Sequence, residues 1–144
     1  MLGAGEAMKF LNTFQPFGLA ILRVALALIF IYHGYPKLVR VDAGMREFFI
    51  QHGFPGYFVG LAGILECIGG GLLLIGLFTR PAAFILSGQM AVAYFMAHAV
   101  QGNVLVPMLN QGELAVLYCF VFLFFAAAGP GRFALENVWR KKSI

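Results

Sequence analysis

The sequence has little charge and few polar residues with which to build a soluble surface. Of its 144 residues, 11% are charged and 61% are hydrophobic, whereas a typical soluble domain is about 25% charged and about 45–50% apolar. A chain this short has too much surface for its volume to hide that much apolar area from water. The composition therefore excludes an ordinary soluble domain and predicts an integral membrane protein surrounded by the lipid bilayer.

Cysteine is also scarce, and the sequence carries no familiar cofactor motif. The two cysteines, Cys67 and Cys119, lie in apolar runs, with no CxxC spacing and no histidine at ligand spacing. This excludes a zinc motif and a thioredoxin-like redox motif. Since no flavin, haem or iron–sulfur motif is visible either, electrons for a redox reaction would have to come from a partner or from the substrate.

The excess of basic residues does not indicate nucleic-acid binding. Ten basic residues against six acidic ones give a formal net charge of +4, but they are scattered along the chain and form no basic stripe. Lys and Arg beside membrane spans instead help to decide which end of a span stays in the cytoplasm. We therefore expect lipid, and not nucleic acid, as the partner of this surface.

Four apolar stretches have about the length of a membrane span, which needs about 20 helical residues to cross about 30 Å of hydrocarbon. They are residues 17–39, 57–78, 81–100 and 113–129, of which the last is the shortest and the most apolar. Between the first two, residues 40–55 have the spacing of a short interfacial helix that Gly53 and Pro55 would end. The whole chain, 1–144, is predicted to form a single all-α domain, a four-transmembrane-helix bundle.

The distribution of basic residues predicts the orientation of this bundle. Four spans put both termini on one side of the membrane, and six basic residues fall on that side against three on the other. The six are Lys9, Arg80, Arg132, Arg140, Lys141 and Lys142, and the three are Lys37, Arg40 and Arg46. Because positive charge is retained on the cytoplasmic side, both termini should be cytoplasmic.

Several ionisable residues interrupt the apolar stretches, although an Arg, Lys or Asp side chain costs at least about 2.5 kcal/mol near the bilayer centre. They are Arg23, His33, Lys37, Glu66, His98 and Glu113. At about 1.5 Å of rise per residue, the two histidines and the two glutamates fall in one leaflet, and the long side chain of Arg23 could reach Glu66. Residues in such positions usually face the interior of the bundle.

Helical phase brings these side chains toward one another. At about 100° per residue, the polar residues of the first span lie in one wedge, while Tyr94 and His98 share a stripe on the third span. On the second span, small residues flank Glu66 and would let a neighbouring helix approach closely. The sequence thus predicts a polar pocket lined by His33, Glu66, Tyr94 and His98, which opens toward the non-cytoplasmic surface.

Several short blocks of sequence are those of a known family. They are Leu22-Arg23, His33-Gly34, Gly53-Phe54-Pro55, Gly63-Ile64-Leu65-Glu66, Gly69-Gly70 and Thr79-Arg80-Pro81-Ala82-Ala83. With them the sequence resembles, over roughly residues 19–137, the DoxX family of small four-helix membrane proteins. Members are associated with quinone-linked oxidoreductases, so the resemblance implies a protein of the bacterial or archaeal cytoplasmic (inner) membrane with a link to quinones.

The pocket and the resemblance together predict a membrane subunit of a quinone-linked oxidoreductase. A quinone needs hydrogen-bond donors, an apolar slot and a route for protons. In this hypothesis Glu66 and His98 are catalytic, and a soluble or membrane redox partner completes the complex. The predicted quinone-binding residues are Arg23, His33, Tyr94 and Glu113.

Other interpretations of the same residues stay open. In a non-enzymatic anchor or scaffold, an Arg23–Glu66 pair would only fix helix packing, His98 and Glu113 would be solvated helix ends, and Lys37 would extend to the headgroups. A metal site that uses the histidines is permitted by residue type, but no ligand spacing supports it. A homo-oligomer is also possible through the phenylalanines expected to face lipid on the last span. These are Phe120, Phe122, Phe124 and Phe125.

Overall fold

The computed structural model describes residues 4–40 and 43–142, and in these ranges the chain is helical with no strand. The helices are α1 (Ala4–Val39), α2 (Ala43–Gln51), α3 (Phe58–Ile75), α4 (Thr79–Ala93), α5 (Glu113–Ala128) and α6 (Leu135–Lys142). A single π-helical turn, Tyr94–His98, and a short 3₁₀ turn, Ala99–Gln101, extend α4. The predicted all-α class is confirmed.

Three of the helices are long and apolar enough to cross a membrane. These segments are Leu11–Val39, Phe58–Ile75 and Thr79–Gln101, and they coincide with the first three predicted spans. The fourth predicted span forms α5, which has 16 residues. At about 1.5 Å per residue α5 is ~24 Å long, less than the ~30 Å of a typical hydrocarbon core.

A short helix is present in the predicted place between the first two long ones. Helix α2 has no buried residue and packs against α3. It ends where Gly53 adopts a φ of +81°, a left-handed conformation that glycine takes without steric cost. The amide of Phe54 then donates a hydrogen bond back to the carbonyl of Phe49, at 2.9 Å, and turns the chain toward α3.

The four long or apolar helices pack as two pairs around one core. Helix α1 lies mainly against α3, and α4 lies mainly against α5, while the contact between α3 and α4 joins the pairs. The buried core draws on all four helices, and its residues are Leu26, Ala27, Phe30, Leu73, Ala83, Leu86, Phe122 and Phe125. At its centre the ring of Phe30 meets the ring of Phe122 edge-on, with the centroids 4.5 Å apart.

The phenylalanine run on α5 is only partly directed at lipid. Phe120 and Phe124 are exposed, as expected, but Phe122 and Phe125 are fully buried in the core. The prediction that all four face outward is therefore wrong for these two. The helical period explains the division, because residues three apart share one face of a helix and alternate residues do not.

Glycines let α1 and α3 approach closely, as the small residues around Glu66 predicted. A Cβ atom on Gly70 would lie 2.9 Å from Cγ1 of Ile31 and 3.0 Å from the carbonyl oxygen of Ala27. A Cβ atom on Gly63 would lie 3.1 Å from the carbonyl oxygen of Gly34. In a membrane, where lipid is as apolar as the side chains, such close packing is a main source of helix association.

Arg80 ties the start of α4 to the end of α5. Its guanidinium donates hydrogen bonds to the carbonyl oxygens of Ala126, at 3.1 Å, and Ala127. The last carbonyls of a helix have no partner within the helix, and a cation there also complements the helix dipole. Arg80 thus serves as a cap for α5 as well as an anchor for the turn before α4.

The glycine packing generates a prediction with a matched control in the next residue. Gly70→Ala should destabilise the protein by about 1–3 kcal/mol, because its Cβ would press on the backbone of α1. Gly71→Ala should change stability by less than ~1 kcal/mol, because nothing lies within 4 Å of a Cβ there. Unfolding by SDS titration in mixed micelles, followed by circular dichroism, measures both. Equal stabilities for the two variants would contradict this account.

Candidate functional site

A cleft with a volume of about 810 Å³ lies between α2, α3 and α4. Its walls are mostly apolar, with aromatic and methionine side chains from all three helices and the α2–α3 turn. These are Met45, Phe48, Phe49, Phe54, Phe58, Met90 and Met96. Clefts of roughly 300–1,000 Å³ with such walls are the usual sites for small organic ligands.

Three polar side chains from three helices meet in this cleft. Glu66 on α3 is 1% exposed, and its Oε1 accepts hydrogen bonds from Lys37 Nζ, at 2.5 Å, and Gln89 Nε2, at 2.8 Å. Lys37 belongs to α1 and Gln89 to α4, so the carboxylate links the three helices. We call these three residues the carboxylate cluster.

The local sequence explains why the cluster forms. Gly34 packs against α3 so closely that a Cβ there would lie 2.8 Å from Cβ of Glu66. Lys37 stands one turn after Gly34 on the same face of α1 and therefore lies over the carboxylate. From the other side, Gln89 reaches across and also donates to the carbonyl oxygen of Ala62, at 3.4 Å.

Two buried polar atoms of the cluster have no hydrogen-bond partner among the described residues. They are Oε2 of Glu66 and Oε1 of Gln89. Buried acceptors are normally satisfied, and leaving one unpaired costs about 1–3 kcal/mol. The two residues line the cleft, and a ligand or a water molecule that gained access to these acceptors would satisfy them.

The expected pair between Arg23 and Glu66 does not form. Arg23 is 1% exposed, and its Nη2 donates to the carbonyl oxygen of Phe133, at 3.0 Å, at the end of the bundle where the chain leaves α5. Side chains in a helix lean toward its N-terminus. Arg23 therefore extends away from Glu66, whereas Lys37, farther along α1, leans back onto it. The interpretation of Lys37 as extending to the headgroups is wrong for the same reason.

Tyr94 and His98 are neighbours, as predicted, but they belong to a second cluster around Asn110. Asn110 is 1% exposed, and its Nδ2 donates to Tyr94 Oη, at 3.0 Å, while its Oδ1 accepts from the amide of Gly112, at 3.0 Å. Tyr94 Oη donates to the carbonyl of Val104, at 2.6 Å, and His98 Nδ1 lies 3.1 Å from the carbonyl oxygen of Asn110. This cluster fastens the loop of residues 102–112 to α4.

His33 and Glu113 lie elsewhere. His33 is exposed, with Nδ1 3.2 Å from the carbonyl oxygen of Ile29 in its own helix and its ring stacked near Phe30. Glu113 is exposed as the first residue of α5. The predicted single pocket of His33, Glu66, Tyr94 and His98 is therefore wrong: of the predicted site residues, Glu66 alone is among those that line the cleft.

Sequence reasoning overlooked Gln89 and Asn110 and gave Lys37 the wrong role. Gln89 carried a usable signal, since it is an amide in the middle of an apolar stretch, where a polar side chain needs a partner. Asn110 had no such signal because it lies outside the predicted spans, in the connection before the fourth of them. The metal hypothesis gains no support either, since no three His, Cys, Asp or Glu side chains group together within residues 4–40 and 43–142.

The model of the DoxX family matches residues 18–99, more than half of the chain. The chain belongs to the DoxX family. The matched region of the DoxX model contains all three residues of the carboxylate cluster and ends before Asn110 and Glu113.

Full-length relatives are found in several bacteria. An uncharacterized protein of Haemophilus influenzae is 45% identical over 94% of this chain and 100% of its own length. The inner membrane proteins YqjF and YphA of Escherichia coli are 26% and 28% identical, over 87% and 85% of this chain and 94% and 91% of their own. No solved structure matches the chain. The chain is thus an integral membrane protein of the DoxX family.

The carboxylate cluster generates a stability prediction. Lys37→Met would leave Glu66 buried with one donor, and since the Lys37 side chain is 28% exposed, we expect a loss of about 2–3 kcal/mol, below the usual cost of breaking a fully buried pair. The double variant Lys37→Met, Glu66→Leu should recover most of that loss, because no buried charge is left unpaired.

Arg40→Met provides the control, because Arg40 is exposed just after α1. It should change stability by no more than ~0.5 kcal/mol. The same SDS titration measures all three proteins. A Lys37→Met variant as stable as Arg40→Met would show that the ion pair contributes nothing to the fold.

Proposed function

We propose that this DoxX-family protein is a membrane subunit of a quinone-linked oxidoreductase and that it binds a quinone headgroup, or a similar small redox molecule, in the cleft between α2, α3 and α4. The observation that carries the proposal is the carboxylate cluster in the wall of an otherwise apolar cleft. A lipid-soluble ring with oxygen substituents matches both parts of that surface.

The residues of the cleft are suited to supply the protons that a quinone takes up when it is reduced. Reduction of a quinone to a quinol takes up two electrons and two protons. Glu66 and Lys37 are ionisable groups in hydrogen-bond contact, and Lys37 is partly exposed, so the pair links the cleft wall to water. A proton held between them lies within reach of an oxygen atom placed beside Glu66.

The electrons are proposed to come from a separate redox protein. The sequence carries no motif for flavin, haem or an iron–sulfur cluster, and in other oxidoreductases such groups supply this chemistry. The role of the described chain is then to bind and orient the small molecule and to manage its protons. That such a redox protein associates with this chain is also part of the proposal.

We further propose that α5 crosses the membrane and completes a four-transmembrane-helix bundle with both termini in the cytoplasm of a cell with an inner membrane. The loop of residues 102–112, which precedes α5, exposes apolar side chains from Val104 to Leu109 and has no charged residue. It therefore lengthens the apolar surface at the start of this helix. Two relatives are named inner membrane proteins. Orientation rests on the basic residues, of which the side chains of Arg140, Lys141 and Lys142 lie outside the described residues.

One observation favours the second candidate, a non-enzymatic anchor or scaffold. The Lys37–Glu66 ion pair and the Gln89 hydrogen bond join three helices, which is what a purely structural device would do. Under this alternative the cleft would hold only lipid chains. The two candidates differ in whether a small redox molecule binds saturably.

Blocking the cleft tests the proposal without touching an ionisable group. Ala93→Trp places a large ring in the cleft and should weaken binding of a short-chain ubiquinone or menaquinone analogue at least ten-fold, as measured by calorimetry on protein in lipid nanodiscs. Ala25→Trp is the control, since Ala25 is exposed on α1 and does not line the cleft.

Saturable binding to the wild type and to Ala25→Trp, but not to Ala93→Trp, supports the proposal. If neither redox form of the analogue binds to the wild type, the proposal fails and the scaffold remains. His98→Ala should leave the affinity unchanged, because His98 belongs to the Asn110 cluster. A ten-fold loss in that variant would return His98 to the site that the sequence predicted for it.

A further inference from the structure

Resting on the proposed function, we propose that the cleft is selective for redox state: it binds the hydroxyl-bearing, reduced form of an aromatic redox molecule in preference to its carbonyl-bearing, oxidised form. The unpaired atoms of the carboxylate cluster are both hydrogen-bond acceptors. A ligand that satisfies them must donate hydrogen bonds.

The orientation of the Gln89 amide is fixed by its neighbours. Its Nε2 donates to Oε1 of Glu66, at 2.8 Å, and to the carbonyl oxygen of Ala62, at 3.4 Å. Both partners are acceptors, so exchanging the nitrogen and the oxygen would replace two hydrogen bonds with two repulsive contacts. The atom of Gln89 left unpaired is therefore the oxygen, an acceptor.

The unpaired atom of Glu66 is also an acceptor. In the ion pair with Lys37, Glu66 is a carboxylate, and neither of its oxygens carries a proton to donate. Oε1 already accepts from Lys37 and Gln89, so Oε2 is the oxygen left without a donor. Both residues line the same cleft, and each of the two atoms has almost no surface open to water, so a ligand in the cleft reaches them through a small displacement of the Glu66 or Gln89 side chain.

The reduced and oxidised forms of a ring compound differ in whether they can donate a hydrogen bond. A phenolic hydroxyl both donates and accepts, so it can donate to Glu66 Oε2 while its oxygen accepts from a remaining N–H of Lys37. A quinone carbonyl only accepts. It would place its lone pairs against those of Oε2 and leave both orphan acceptors unpaired.

The apolar walls restrict the ligand further. Phe48 and Phe49 of α2 and Phe58 of α3 face the cleft, and they suit an aromatic ring in stacked or edge-on contact. Together the walls and the cluster describe a planar ring with at least one hydroxyl group. The chemical class is that of a phenol or a quinol with an apolar substituent.

Three forms of one molecule test this selectivity. We would titrate the wild-type protein in nanodiscs, without oxygen, with a decyl-substituted benzoquinone, its quinol, and the dimethyl ether of that quinol. The quinol should bind at least ten-fold more tightly than the quinone. The dimethyl ether should bind as weakly as the quinone, because it keeps the ring and the oxygens but has no proton to donate.

Glu66→Gln should change the preference in a defined direction. Its carbonyl oxygen would stay with the donors from Lys37 and Gln89, so its amide nitrogen would take the place of Oε2 and present a donor. The ratio of quinone to quinol affinity should then rise at least ten-fold over the wild-type ratio. Glu47→Gln, which changes an exposed carboxylate on α2, should leave the ratio unchanged.

The outcomes separate this inference from the proposed function. Wild-type protein that binds quinone as tightly as quinol, or binds the dimethyl ether as tightly as quinol, overturns the selectivity but keeps the binding site. Absence of binding by all three compounds overturns both. If Glu66→Gln does not fold, the comparison of the three ligands on the wild type still decides.

Discussion

A carboxylate buried among apolar helices is the constraint on which the rest of this structure depends. A charge in that position is tolerated only with partners, and Glu66 finds one in α1 and another in α4. The lysine reaches it only because α1 and α3 touch through Gly34 and Gly63. The same glycines that set the spacing of α1 and α3 therefore also bring the lysine to the carboxylate. As a result, the cleft between α2, α3 and α4 has one polar wall.

The cations Arg23 and Lys37 of α1 illustrate how side-chain direction assigns partners. Arg23 and Lys37 stand on the same helix, and depth along the axis alone places each within reach of Glu66. Because side chains lean toward the start of a helix, Lys37 leans into the bundle and Arg23 leans toward its end, where it holds the carbonyl of Phe133. One cation completes the cleft, and the other fastens the segment after α5.

This difference also marks the limit of what the sequence could predict. The apolar stretches located the helices, and the small residues around Glu66 correctly indicated a close helix contact. Depth and phase did not identify the partners, because they locate backbone positions and ignore the lean of long side chains. The single pocket failed for a second reason. A π-helical turn follows α4 and the Asn110 cluster folds the next loop back, so Tyr94 and His98 face that loop. Neither the π-helical turn nor the folding back of the loop can be recognised from the spacing of residues in the sequence.

The carboxylate cluster combines a structural and a chemical role, and the two have different consequences for measurement. Any change at Lys37, Glu66 or Gln89 alters a contact between helices, so a loss of binding alone does not distinguish a missing ligand contact from a loosened bundle. The ratio of the affinities for two redox forms of one molecule does distinguish these two causes. Loosening weakens both forms together and cancels in the ratio, whereas a change of hydrogen-bond polarity at the cleft wall acts on them in opposite directions. Selectivity is therefore the property through which a binding role for this cluster is separated from its role in the fold.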